Sequence, residues 1–120
     1  MLPPELPAGK WLWHGGTFTP DRTRLYCFPN HADQVLKIDT TTDEVSLLGG
    51  PDVIQSGRHR VPQDGRYKYL GGAYVPANDS VYCFPCDAER VLKINCSTDA
   101  VSVVGRELLQ VGWSGCVGGR

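Results

Sequence analysis

Cysteine carries the most reactive side chains in this sequence, and two of its five cysteines lie in the segment Cys83-Phe84-Pro85-Cys86. A C-x-x-C spacing is typical of half a zinc site or of a redox pair. One pair supplies only two of four zinc ligands, and Cys83 has a counterpart, Cys27, that is not followed by a second cysteine three residues later. The pattern therefore favours small core thiols, which we expect to be reduced, over a metal or redox centre.

No other arrangement of polar residues in the sequence indicates an active site. The chain shows no Ser-His-Asp order, no paired carboxylates in an apolar stretch and no glycine loop with phosphate- or dinucleotide-binding spacing. Asp39, Asp43 and Asp99 lie in turn-like segments, where such side chains bond the local backbone. We therefore predict a protein that is not an enzyme and that uses no cofactor.

Composition narrows the function classes further. The 120 residues are 41% hydrophobic and 21% charged, as expected of one soluble globular domain, and the formal net charge of -1 lacks the basic excess of a nucleic-acid binder. No apolar run approaches the roughly 18 residues of a membrane span, and the first residues lack the apolar core of a secretory signal. These features predict a soluble cytoplasmic protein with neither nucleic acid nor membrane as its partner.

The elements that position these residues are duplicated. Residues 13–49 recur as residues 69–105, shifted by 56 positions without a gap, and 17 of the 37 aligned positions are identical. A period of this size is typical of stacked supersecondary units rather than of one compact enzyme fold.

Each repeat predicts four β-strands, because its apolar residues come in short runs rich in β-branched and aromatic types and separated by turn residues. The predicted strands cover residues 15–19, 24–28, 34–39 and 44–48 in the first repeat and 71–75, 80–84, 90–95 and 100–104 in the second. Leu25 and Cys27 point to one face of their strand, and Tyr26 and Phe28 point to the other. A strand that is apolar on both faces is covered on both sides.

A four-stranded antiparallel meander between neighbours of the same kind, with a glycine pair on its first strand, fits a β-propeller blade. The segments LYCFPNHADQVLKIDTTTDEVSLL and VYCFPCDAERVLKINCSTDAVSVV resemble repeats of the kelch, NHL and YVTN β-propeller superfamily. We therefore expect an all-β fold, a partial propeller of two four-stranded antiparallel blades and a terminal blade fragment. In such a blade the strands of Gly15-Gly16 and Gly71-Gly72 line a central channel.

The expected organisation comprises an N-terminal segment (residues 1–12), a first blade (13–49), an inter-blade loop (50–68), a second blade (69–105) and the start of a third blade (106–120). Closed propellers have about four to eight blades, so two blades and a fragment leave an apolar face open at each end. Three resolutions follow: a piece of a longer propeller, which we favour, a ring of several chains, or an aggregation-prone protein.

Partner binding is expected on the loops between the second and third strands, which lie on one face of a propeller. The candidate binding residues there are Asn30, His31, Asp33, Asp87, Glu89 and Arg90. They predict a protein-binding or scaffolding module with a protein partner.

Two rival functions remain open from the sequence. A small lectin that completes a ring as a homo-oligomer would bind carbohydrate on aromatic residues, of which the candidates are Trp11, Trp13, Tyr67, Tyr69 and Trp113. The same aromatics are otherwise expected to pack between blades. A propeller enzyme would need metal ligands on the inner strands, where residues 17–19 and 73–75 are poor ligands.

Overall fold

The computed structural model describes residues 5–55 and 67–105, and each repeat forms one antiparallel sheet whose four strands are neighbours in sequence order. Sheet A contains β1 (Trp13–Phe18), β2 (Arg24–Pro29), β3 (Val35–Asp39) and β4 (Glu44–Leu48). Sheet B contains β5 (Tyr69–Val75), β6 (Ser80–Pro85), β7 (Val91–Asn95) and β8 (Ala100–Val104). A 3-10 turn at Pro76–Asn78 joins β5 to β6. The all-β prediction and the two sheets of four strands are confirmed.

The first strand of each sheet begins two residues earlier than the sequence pattern predicts. Trp13 pairs with Pro29 and Tyr69 pairs with Pro85, and a register irregularity follows each of these pairs before the glycines. Such a bulge breaks the simple alternation of side chains, so the added pair cannot be read from periodicity.

The two sheets pack face to face, and β1 and β2 of sheet A contact β5 of sheet B. We call the buried layer between them the seam. Its main apolar residues are Tyr26, Phe28, Val35, Val81, Cys83, Leu92 and Ile94, of which Phe28 is the most exposed at 3%. Ile54, in the segment after β4, joins this core at 1% exposure. Because apolar burial is the main favourable term in folding, the seam holds the two repeats together.

Close backbone approach explains one glycine at the seam. A Cβ atom built on Gly72 would collide with the carbonyl oxygen of Tyr82 and would lie 2.9 Å from the ring of Phe28. A side chain at this position would therefore disturb the pairing of β5 with β6 and press on sheet A at Phe28, as expected where backbones crowd together.

The far side of each sheet is only partly covered. We call these sides outer face A, formed by Leu25, Cys27, Leu36, Ile38, Val45 and Leu47, and outer face B, formed by Tyr82, Phe84, Val91, Lys93, Ser102 and Val104. Phe84 is 42% exposed, whereas its counterpart in the seam, Phe28, is 3% exposed. Equivalent residues of the two repeats thus lie in different environments.

Several sequence predictions fall outside the described residues: the third-blade fragment with Trp113, and most of the loop between the repeats. Within the described part of the chain, no helix is long and apolar enough to cross a membrane.

Candidate functional site

One end of the two sheets carries the β2–β3 and β6–β7 loops, which are anchored to the chain by the same backbone bonds. The N–H of His31 donates to the carbonyl of Trp11 at 2.9 Å, and the N–H of Asp87 donates to the carbonyl of Tyr67 at 2.8 Å. The carbonyl oxygens of Leu12 and of its counterpart Lys68 each accept hydrogen bonds from two further backbone N–H groups of these loops. We call this end, with its two loops and the residues that anchor them, the loop face.

Lys68 joins the two loops across the seam. Its ammonium group donates to the carbonyls of Asn30 and His31, both at 3.1 Å, and lies 3.4 Å from a carboxylate oxygen of Asp33. The side-chain amide of Asn30 in turn donates to the carbonyl of Tyr69 at 3.1 Å. A buried lysine is costly unless its charge is hydrogen-bonded, so these acceptors fix Lys68 and the β2–β3 loop together.

Two of the six candidate binding residues have buried side chains. Asn30 and Asp87 are each 1% exposed. The carboxylate of Asp87 accepts a hydrogen bond from the backbone N–H of Tyr67 at 3.1 Å, while Asn30 bonds to sheet B. Both side chains therefore position the loops and are not accessible from the surface.

The other four candidates lie at or near the surface. Asp33 and Arg90 are exposed, and His31 and Glu89 are half-buried. The structure brings all of them to the loop face, because residues 56 positions apart lie on equivalent loops of adjacent sheets. This arrangement places charges of both signs on the loop face.

Two aromatic side chains flank these loops and are exposed to solvent. Trp11 is 60% exposed and Tyr67 is 37% exposed, and the rings of Tyr67 and His31 meet edge to face with centroids 4.6 Å apart. The expectation that these two aromatics pack between blades is therefore wrong. Both lie just before the strands begin, beyond the bulge, where the neighbouring sheet no longer covers them.

The next aromatic pair along the chain behaves differently. Trp13 donates its indole N–H to the carbonyl of Gln34 at 2.8 Å, and Tyr69 donates its hydroxyl to the carbonyl of Arg90 at 3.0 Å. Two side-chain types thus make the same anchor in the two repeats. Tyr69 is 1% exposed and belongs to the buried core, so packing is confirmed for Tyr69, whereas Trp13 is half-buried.

The backbone at Trp11 is strained. Its φ of 58° lies in the left-handed region, which a bulky residue adopts at a cost of about 1–3 kcal/mol. The bond from the N–H of His31 holds the chain in this conformation. Strain of this kind is concentrated at functional sites, where a side chain must be held in a fixed direction. The loop face therefore presents an aromatic ring on a fixed backbone.

The opposite end of the sheets carries a network of carboxylates with a structural role. Hydrogen bonds from the backbone and hydroxyl of Thr23 and the hydroxyl of Thr19 lower the pKa of Asp21 to about 2. Hydrogen bonds from the hydroxyl of Ser97 and from the hydroxyl of Tyr74 hold the pKa of Asp79 below its usual value. Carboxylates that are kept ionised by turn bonds are poor general acids.

All three aspartates predicted to form turns lie at or beside turns, and bonding of the side chain to the local backbone is confirmed for Asp39. Asp39 accepts bonds from the backbone and hydroxyl of Thr41, at 2.9 Å and 2.6 Å, which lower its pKa. Asp43 and Asp99 both adopt a φ of 63° at the β3–β4 and β7–β8 turns. Aspartate is among the residues that tolerate this left-handed conformation, so its repetition follows from the turn geometry.

Asp99 has a second role that the sequence did not indicate. It accepts hydrogen bonds across the seam from the hydroxyl of Tyr26 at 2.9 Å and from the ammonium of Lys37 at 2.6 Å. Burial and the Asp99 carboxylate raise the pKa of Tyr26 far above its ordinary value. The bonded partners come from the other repeat, which no local pattern identifies.

The two cysteines of the C-x-x-C segment differ in their bonding. Cys27, Cys83 and Cys96 carry free thiols, whereas Cys86 is disulfide-bonded, so the expectation of reduced thiols holds for the first three only. Burial raises the pKa of the Cys83 thiol, which makes it a core residue rather than a nucleophile. Among residues 5–55 and 67–105, no group of three His, Cys, Asp or Glu side chains could hold a metal ion.

Comparison with protein-family models, with curated proteins and with solved structures finds no match to this chain.

Proposed function

We propose that this chain is a protein-binding module of the β-propeller kind, and that it binds a partner through the loop face. The observation that carries the proposal is the pair of exposed aromatic residues Trp11 and Tyr67 on the loop face, where half-buried His31 contacts Tyr67 and where Asp33 and Arg90 are also exposed. Within this proposal sheets A and B are two blades, and the partner is another protein in the cytoplasm.

The chemistry of the cluster supports a protein partner. Trp, Tyr and Arg dominate the residues that contribute most to protein–protein binding, and charged residues around them set orientation. Exposure of Trp11 at 60% leaves a large apolar surface to be buried by such a partner.

The rigidity of the loops supports the proposal as well. Lys68 and Asn30 tie the β2–β3 loop to sheet B, and the β6–β7 loop repeats the same backbone anchors. A surface that is already ordered loses less conformational entropy on binding. A scaffold that holds variable residues on fixed loops is the usual arrangement for recognition.

Quantitative affinity purification from source cells tests the proposal. The bait variants are Trp11→Ala, and a double charge reversal at Asp33 and Arg90. Proteins that depend on the loop face should be recovered at least tenfold less with both variants, because such anchors contribute about 2 kcal/mol or more. Direct titration with each recovered protein then measures its affinity for the unaltered chain.

The matched control reverses two exposed charges at the opposite end, Arg22→Glu and Glu44→Lys, and should leave recovery unchanged. The proposal fails if no protein binds the unaltered chain in titration, or if the control lowers recovery as much as the loop-face variants do.

A carbohydrate ligand is the second candidate, and the same exposed aromatics favour it. A ring such as that of Trp11 or Tyr67, beside polar His31 and Asp33, can stack on a pyranose while the polar groups bond its hydroxyls. Glycan-array binding that disappears in Trp11→Ala, without any protein partner, would favour the lectin over the scaffold.

A further inference from the structure

The two outer faces are repeats of the two faces that already meet in the seam. Outer face A carries the equivalents of Val81, Cys83, Leu92 and Ile94, which sheet B turns toward sheet A. Outer face B likewise carries Tyr82, Phe84 and Lys93, the equivalents of residues by which sheet A contacts sheet B. Each outer face is therefore built like one half of an interface that the molecule already contains.

The polar part of the seam defines the register of that interface. Lys37 lies over the ring of Tyr26, with its ammonium 6.0 Å from the ring centroid, and both bond to Asp99 from the other sheet. These bonds link the centre of one sheet face to the β7–β8 turn of its neighbour.

Outer face B has the donor half of the same arrangement already formed. Lys93 lies over the ring of Tyr82 at 5.9 Å, and these residues are the equivalents of Lys37 and Tyr26. In the described part of the chain no aspartate faces Lys93 and Tyr82 in this way. The aspartate of the seam, Asp99, bonds to Tyr26 and Lys37 of sheet A.

The acceptor half is present beside outer face A. Asp43 is the equivalent of Asp99, has the same φ of 63°, and donates its backbone N–H to Asp39 at 2.7 Å, as Asp99 does to Asn95 at 2.6 Å. Asp43 is exposed, whereas the side chain of Asp99 is 31% exposed within the seam. The carboxylate of Asp43 therefore occupies the position that the seam uses for bonding.

We infer that outer face B of one chain binds outer face A of a second copy of this chain, with Lys93 and Tyr82 bonding to Asp43. The occupant is a second copy because it presents complementary charge and continues the existing seam. This inference concerns the outer faces and is independent of the loop face.

The two binding surfaces differ, so the contact is head to tail. One contact between two chains still leaves one outer face of each kind open. Further copies add in the same way until rotation closes a ring, which takes about two to four chains if it holds about four to eight sheets. Covering the half-buried aliphatic residues of outer face A supplies the favourable free energy, and the Lys93–Asp43 pair selects the register.

Sedimentation velocity of the purified chain over a range of concentrations tests the inference. The unaltered chain should sediment as an assembly of about two to four chains. Lys93→Glu should weaken association by about tenfold or more, because it places two carboxylates opposite each other. Asp43→Asn, which keeps the left-handed conformation, should weaken association less.

The decisive variant combines Lys93→Glu with Asp43→Lys, which restores opposite charges with exchanged positions. It should associate more tightly than Lys93→Glu alone, an outcome that loss of folding cannot produce. Glu44→Lys is the matched control, since it changes a neighbouring exposed carboxylate and should leave association unchanged.

Three results would overturn the inference. The first is an unaltered chain that stays monomeric at all concentrations, which would mean that a different protein or further blades cover these faces. The second is a Lys93→Glu chain that associates like the control. The third is a double variant that is no better than Lys93→Glu, with circular dichroism showing all variants folded.

Discussion

The seam and the two outer faces have nearly the same amino-acid composition but differ in what surrounds them. Ile94 and Cys83 in the seam are fully buried, while their equivalents Ile38 and Cys27 on outer face A are half-buried. Phe28 and Phe84 differ in the same way, at 3% and 42% exposure. Each repeat thus supplies two apolar faces that are similar to those of the other repeat, and the neighbouring sheet decides which of these faces become core.

The largest difference is expected from truncating equivalent isoleucines. Ile94→Ala should lower the free energy of unfolding by about 3–4 kcal/mol, because it leaves a cavity in the seam. Ile38→Ala on outer face A should cost about half as much, since that side chain is already partly in water. Urea unfolding at dilute protein concentration measures both, and equal losses would contradict the assignment of the seam as the core.

Adjacent glycines test the close approach of the two sheets. Gly72→Ala should cost about 2–3 kcal/mol, because its methyl group would collide with the Tyr82 carbonyl and press on the Phe28 ring. Gly71→Ala should be nearly neutral, because its methyl group would lie 3.9 Å from Phe84 on outer face B. Thermal unfolding of the two variants separates these outcomes, and a Gly72→Ala protein as stable as Gly71→Ala would contradict the close contacts of Gly72 with the Tyr82 carbonyl and the Phe28 ring.

A smaller difference is expected from the paired tyrosines. Tyr26→Phe should cost about 1–2 kcal/mol, because it removes a hydrogen bond to the Asp99 carboxylate inside the seam. Tyr82→Phe should cost less than about 0.5 kcal/mol in the monomer, where its hydroxyl accepts only an exposed bond from Asn78. Denaturant midpoints give both values, and the order should not reverse at any salt concentration.

The smallest effect is the alkaline pH dependence of the seam. Since folding raises the pKa of Tyr26 above its ordinary value of 10.0, the folded chain holds this proton more tightly than the unfolded chain. Its contribution is therefore complete below pH 10 and declines as pH rises further. At pH 10.5 the unaltered chain should lose about 1 kcal/mol more than Tyr26→Phe does. Parallel losses in the two proteins would mean that Tyr26 ionises normally in the folded state.

Much of the local structure could be predicted from the sequence. The positions of β2–β4 and β6–β8 agree with the prediction to within one residue, because short apolar runs bounded by Pro, Asn and Asp specify strands and turns locally. The starts of β1 and β5 were missed because a bulge hides the pairing of Trp13 and Tyr69.

The candidate site could be predicted only in part. The sequence placed Asp33 and Arg90 on the loops that the structure exposes, but gave no sign that Asn30 and Asp87 are buried. It also grouped Trp11 with the packing aromatics, because burial of an aromatic depends on which chain segment covers it. The one available signal was the repetition of an aromatic residue at positions 11 and 67.

By itself the sequence determined a four-stranded antiparallel unit made twice, its turn chemistry, and strands that are apolar on both faces. Those properties follow from backbone sterics, side-chain alternation and hydrogen bonds between residues close in the chain. Only the tertiary structure decided which faces of the sheets are buried and which aromatic side chains are exposed to solvent. It also decided that Asp99 accepts hydrogen bonds from Tyr26 and Lys37 while Asp43 is exposed. Burial and charge pairing depend on neighbours that are distant in the chain, and similar local sequences acquire different roles when only one of them has such a neighbour.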